Sequence, residues 1–127
     1  MEFKHDLPSD CPDKNKTTIG EDRIFFRIVK NFPPTDEDFI PLWFSNKFSK
    51  AKECLARGVS ITEKLEDIKA VIKAFPNTFG SDSKIVQGKV KYEEHGIVKL
   101  TPNTNPSHRT WYPLDITDEK DIFCTEV

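Results

Sequence analysis

The chain carries none of the short motifs that announce a reaction. It contains no GxGxxG, no phosphate-binding P-loop, no HExxH, no EF-hand loop and no GxSxG, which sets aside the dinucleotide fingerprint, the zinc-peptidase helix and the nucleophile elbow. Cysteines are few. Cys11, Cys54 and Cys124 form no CxxC, and their odd count points to reduced thiols in a cytoplasm rather than to a disulfide framework. The cysteines and the three scattered histidines have no zinc-ligand spacing, so neither a metal nor another cofactor is expected. No apolar run approaches the ~20 residues of a membrane span, and the opening MEFKHDLPSDCPDKNK lacks the apolar core of a secretion signal. Charge of one sign is missing too. With 19 Lys and Arg against 21 Asp and Glu the net charge is −2, which gives no overall attraction to nucleic acid or to an anionic membrane.

What is present is enough for one domain: 127 residues can bury a real core. Ten phenylalanines against one methionine imply a core of rigid rings rather than adaptable thioethers. Residues 1–20 are polar and aperiodic and read as a loosely ordered arm ahead of a single domain over 21–127. RIFFRIVK, 23–30, reads as a strand with apolar residues on both faces, and Arg27 in its middle requires a partner or a sheet edge. Thr35 and the three acids after it mark a helix start. A helix is predicted over 47–57, stopped by Gly58 with Cys54 as a core thiol, followed by a brief strand at 59–61. The clearest periodicity is a helix over 63–75, capped by Thr62, with Leu65, Ile68, Val71, Ile72 and Phe75 on one stripe. Alternation over 84–92 predicts a strand that pairs with 97–101 as a hairpin, and 122–127 is a last strand. The expected fold class is therefore α+β, a mostly antiparallel sheet of about four to five strands packed by two main helices.

The segment 96–113, GIVKLTPNTNPSHRTWYP, gathers aromatics, a histidine, an arginine and three prolines. Gly96 suits a positive-φ turn, and Pro102, Asn103, Asn105 and Pro106 predict an irregular loop over 102–113. Such a loop, braced by proline, presents His108, Arg109, Trp111 and Tyr112 to a ligand, with Arg109 able to pair with a carboxylate or phosphate and the rings able to stack. Lys89 and Lys91 on the wet face of the hairpin add positive charge. Ser107 and His108 form no dyad, because neighbours on an extended chain point to opposite sides. On this basis the expected role is non-catalytic recognition, in a small cytoplasmic accessory protein of bacterial style, with another protein or an anionic ligand as partner. Nucleic acid is disfavoured by the acids around the lysines, and no membrane contact is indicated.

A second layout is visible. Arg27 in IFFRIV, Ser60 and Thr62 in GVSIT ahead of a helix, and Glu126 in FCTEV follow one another along the chain. In that order of parts the chain resembles small bacterial ADP-ribosyltransferase-like proteins, which use a polar residue on an early strand, a Ser/Thr strand entering a helix, and a late Glu. The resemblance implies an NAD-using enzyme whose site joins Arg27, Ser60, Thr62 and Glu126. The two readings make different demands: one needs Arg27, Ser60 and Glu126 in one cleft, the other needs His108 and Arg109 exposed together.

Overall fold

The computed structural model describes residues 1–45, 48–102 and 105–127. Lys47, at the start of the expected helix 47–57, and Asn103, in the expected loop, lie outside the described residues. Among the described residues the chain forms one antiparallel sheet of six strands with three α-helices. In chain order these are β1 (Arg23–Val29), α1 (Glu53–Ala56), β2 (Val59–Thr62), α2 (Leu65–Ala74), β3 (Lys84–Val90), β4 (Gly96–Leu100), β5 (His108–Pro113), α3 (Glu119–Ile122) and β6 (Thr125–Glu126). The spatial order is β4-β5-β2-β1-β3-β6. The α+β class and the antiparallel sheet thus stand, with one strand more than the upper expectation. Among the described residues no helix is long and apolar enough to cross a membrane.

Of the helix expected over 47–57 the described residues hold a 3-10 turn at Lys50–Lys52 and the four-residue α1, and three further expected elements differ. The segment 108–113 is not a loop but the strand β5, paired on both sides, with β2 (Val59↔Trp111) and with β4 (Val98↔Trp111). Two neighbouring ladders outweigh the loop tendency of the prolines, which sit ahead of the strand and at its last residue. The hairpin of 84–92 with 97–101 does not form, because β3 pairs with β1 and β6 while β4 pairs with β5. The expected strand 122–127 is reduced to the two residues of β6, since 119–122 coil into α3 behind the acidic first turn.

Residues 91–95 join β3 to β4, which stand four positions apart in the sheet. A flat sheet would separate them by about 19 Å. The connection cannot span that gap, because His95 N donates to Lys91 O at 2.9 Å in a tight turn. The sheet therefore curls around its apolar contents, and Phe25, Val29, Val59, Ile61, Val86, Val90, Val98 and Trp111 point inward with Phe39 and Phe123 closing over them. Gly96 follows this turn at φ +117, and a Cβ there would meet the backbone of Tyr112 and lie 2.9 Å from Pro113 Cα. Gly96→Ala is expected to cost roughly 2 kcal/mol or more, since neither the φ nor the facing strand can give way. Chemical denaturation against wild type measures it.

The arm is docked rather than loose. Phe3 bridges to Leu114 and Thr18 to Lys99, Ile19 enters the core, and Lys4 and His5 both pair with the buried Glu119. Cys11 and Cys54 are joined in a disulfide and Cys124 is free and exposed, which corrects both the expectation of reduced thiols and that of Cys54 as a core thiol. Spacing along the chain says nothing of that pairing, because the arm's path across the domain brings the two together.

Candidate functional site

The site begins with a fault in the sheet. β1 and β2 share one register pair, Phe26↔Thr62. Continuing that register would set Ile28 opposite Ser60, but the strands diverge there. Arg27 fills the gap. Its Nη1 donates to Ser60 O at 2.6 Å, and Nε and Nη2 donate to Asp38 O at 3.0 and 2.6 Å. The guanidinium also lies over the Phe39 ring, 5.4 Å from its centroid. Burial lowers the Arg27 pKa to about 10, against the raising pull of Asp38 and Glu119, so the group remains charged at neutral pH. Asp38 is itself buried, which pushes its pKa up. Backbone N–H groups of Thr35 and Lys30 and the Asn31 amide reverse this and hold the carboxyl below its ordinary value. Thr35 N donates to Asp38 Oδ2 at 2.9 Å, closing the short 3-10 turn Asp36–Phe39 that delivers Asp38 to Arg27.

Where the strands part, a cleft of about 450 Å³ opens between the sheet and α2. Ile28, Ile40, Leu42, Ile68, Val71 and Phe75 supply its apolar walls. This explains the stripe of α2: only Ile68 is buried, and Phe75 is 48% exposed, because the stripe faces the cleft instead of closed core. Arg27, Ser60, Thr62, Thr78, Asn105 and His108 supply its polar side chains. A smaller pocket of about 180 Å³ adjoins it through Leu42, Gly58, Ser60 and His108, and reaches Lys52 and Leu55.

Ser60 and His108 stand where the two spaces meet. The β2–β5 register sets Thr62 opposite His108 and Ser60 opposite Thr110, so all four side chains share one face of the sheet. His108 Nε2 lies 3.1 Å from Ser60 Oγ, and Nδ1 lies 2.9 Å from Thr101 O and 3.2 Å from Thr101 Oγ1. A backbone carbonyl only accepts, so Nδ1 carries the proton and Nε2 offers its lone pair to the Ser60 hydroxyl. Burial lowers the His108 pKa, the Arg109 charge lowers it further, and the bond to Thr101 opposes both. The net fall favours the neutral ring at pH 7.

That depression fixes the sign of a pH effect. As pH falls through the ordinary histidine value near 6.5, the unfolded chain takes up a proton that folded His108 resists. Stability should fall with pH until the folded value is passed. The drop in thermal midpoint between about pH 7.5 and about pH 5.5 should be smaller in His108→Gln than in wild type. Equal drops would show that His108 titrates normally.

The remaining expected contacts are dispersed. Trp111 is fully buried and Tyr112 is 3% exposed, so neither ring is presented to a ligand; Trp111 pairs with both β2 and β4, and Tyr112 pairs with β4. Trp111 Nε1 donates to His95 O at 2.9 Å and Tyr112 OH to Cys54 O at 2.9 Å. Arg109 faces away from His108, as strand neighbours must, and its Nε donates to Glu63 Oε2 at 2.6 Å. Lys89 is exposed on β3, three positions from β5 in the sheet, and Lys91 pairs with Glu94 at 3.6 Å. Of the NAD layout, Arg27, Ser60 and Thr62 line the cleft while Glu126 does not: it is exposed on β6 at the far edge of the sheet, opposite Val86. Among the described residues no cluster of His, Cys, Asp and Glu is arranged to hold a metal ion. No protein-family model, curated protein or solved structure matches this chain.

Proposed function

We propose that the protein is a binding module for a small amphiphile, held in the cleft between α2 and the diverging strands β1 and β2. The observation that carries this is an apolar cleft of about 450 Å³ with a hydrogen-bonding pair, Ser60 and His108, at its mouth. Apolar walls with a few convergent polar groups are the usual anatomy of a small-molecule site. The apolar body of the ligand lies against Ile68, Val71 and Phe75, and its polar head meets Ser60 and His108. Lys52 lines the adjoining pocket and suits an anionic head, so the anionic ligand expected from the sequence remains, relocated from the 102–113 segment as a whole to His108 and Asn105 at the rim. Arg27 is not available to that head, because its donors are directed at Ser60 O and Asp38 O.

A second reading, an NAD-using transferase, is favoured by one observation: Arg27, Ser60 and Thr62 line the same cleft. It lacks the acid that the resemblance requires, since Glu126 stands elsewhere. A cytoplasmic location loses its support in the cysteine count, because disulfides such as Cys11–Cys54 persist mainly in oxidising compartments.

Backbone-amide NMR titrations with decanoate, decanol and NAD separate these readings. Decanoate or decanol should shift amides at 58–62, 68–75 and 105–108, and Val71→Asp should weaken that binding at least tenfold. Shifts with NAD alone would replace the amphiphile by the transferase reading. An unperturbed cleft with all three would overturn both.

A further inference from the structure

We infer that Ser60 is a nucleophile served by His108 as general base, and that the cleft accepts the acyl chain of an ester. The inference rests on the cleft reading above and names its substrate class. Three features of the geometry support it. Ser60 is solvent-exposed at the junction of the two pockets. Its Oγ lies within hydrogen-bond reach, 3.1 Å, of a ring nitrogen that must be the acceptor. That ring is oriented from behind, by Thr101 O at 2.9 Å, and Thr101 Oγ1 is in turn 2.8 Å from Thr110 Oγ1. Nucleophile, base and orienting group therefore stand in the order that nucleophilic catalysis requires. A backbone carbonyl takes the place that a carboxylate fills in the serine triad.

The step balances without a further reactant. Ser60 Oγ attacks the ester carbonyl carbon, the Oγ–C bond forms, and the proton on Oγ passes to His108 Nε2. The carbonyl π pair moves to oxygen, with Thr62 and Asn105 in the cleft lining as candidate donors to it. When the pair returns, the C–O bond to the alcohol breaks, and the departing alkoxide takes the proton from Nε2. Water then repeats the sequence on the acyl-serine, so ester and water become acid and alcohol. The apolar walls on α2 give the acyl chain its place, and the smaller pocket beyond Ser60 and His108 receives the alcohol.

The test is labelling of the full chain with a fluorophosphonate, read by intact mass and peptide mapping, beside turnover of p-nitrophenyl esters of increasing acyl length. One phosphonyl group should appear on Ser60, be absent in Ser60→Ala, and form at least 100-fold more slowly in His108→Gln. Labelling should rise with pH and level off below the ordinary histidine value, as His108 loses its proton. Circular dichroism and thermal midpoints show whether both variants fold, and Ser60→Cys in a Cys124→Ser background, which keeps a nucleophile in place and removes the exposed thiol of Cys124, should gain alkylation at position 60 by an apolar haloacetamide. Absence of label on wild type, label elsewhere, or equal rates in His108→Gln would overturn the inference. If decanoate or decanol still shifts the cleft amides in that event, only the nucleophile falls; if neither does, the cleft reading falls with it.

Discussion

Trp111→Ala is expected to remove about 3–5 kcal/mol of stability, a large share of the roughly 5–15 kcal/mol that a domain of this size possesses. Trp111 is the largest fully buried side chain. Its ring packs at 5.6 Å against Phe123, which meets Phe39 at 6.0 Å, so truncation opens a cavity between the curled sheet and the segments that close over it. The lost Nε1–H also leaves His95 O without its donor at the turn that carries β3 into β4, adding the cost of an unpaired polar group. Neighbouring rings cannot collapse into the space, because strand pairing on both sides of β5 fixes the backbone. Urea denaturation should show the midpoint falling by about 2 M. An unchanged midpoint would mean that Trp111 does not bear on the core at all and that a contact role must be reconsidered.

Local chemistry determined which elements were legible. β1 and β3 show in the sequence because each is seven residues long with β-branched or aromatic residues at inward positions. α2 shows because five apolar residues share one stripe. β5 was hidden: HRTWYP has no alternation, follows two prolines, and acquires its structure from β2 and β4, which are distant along the chain. The register that ties it down is a long-range fact. The same holds for the Cys11–Cys54 bond and for the docking of residues 1–20, since a polar arm with little periodicity gives no sign of the surface it will lie on.

The site was legible in pieces. Ser60 and Thr62 stood out as hydroxyls on a strand before a helix, and His108 stood out in another segment, each under a different reading. Period-2 geometry already separates His108 from Arg109 and groups Ser60 with Thr62. What it cannot supply is the pairing of Thr62 with His108, which alone brings the imidazole to Ser60. Arg27 illustrates the complementary case. A charge in the middle of an apolar strand signals a partner, and the partners are two backbone carbonyls, Ser60 O where β2 leaves β1 and Asp38 O on the 3-10 turn Asp36–Phe39, which no side-chain pattern announces. The cleft exists because that divergence is held open by an arginine rather than closed by a ladder.

Loss of the Cys11–Cys54 bond is the second large effect expected. Closing a loop with a sequence separation of 43 restricts the unfolded chain by up to about 4 kcal/mol in the chain-entropy account. Other ties hold the arm in the folded state: the Thr18↔Lys99 bridge, the Phe3↔Leu114 bridge and the pairing of Lys4 and His5 with Glu119. These let the double variant Cys11→Ser, Cys54→Ser fold, with a thermal midpoint lower by about 10 °C. Reductant should lower the wild-type midpoint by a similar amount and leave the variant unmoved. Thiol titration of the denatured wild type should count Cys124 alone before reduction and all three cysteines after it. Three reactive thiols at the outset, or a midpoint indifferent to reductant, would show that the bond is not part of the stable protein. The effect reaches the candidate site through α1. Cys54 O accepts the Tyr112 hydroxyl at 2.9 Å, and the next two residues, Leu55 and Ala56, line the smaller pocket beside Ser60 and His108. An α1 released from the arm should therefore loosen that pocket, while the wall formed by α2 stays in place. Amphiphile binding in the larger cleft should survive reduction, whereas selectivity for the head group, which the smaller pocket receives, should weaken.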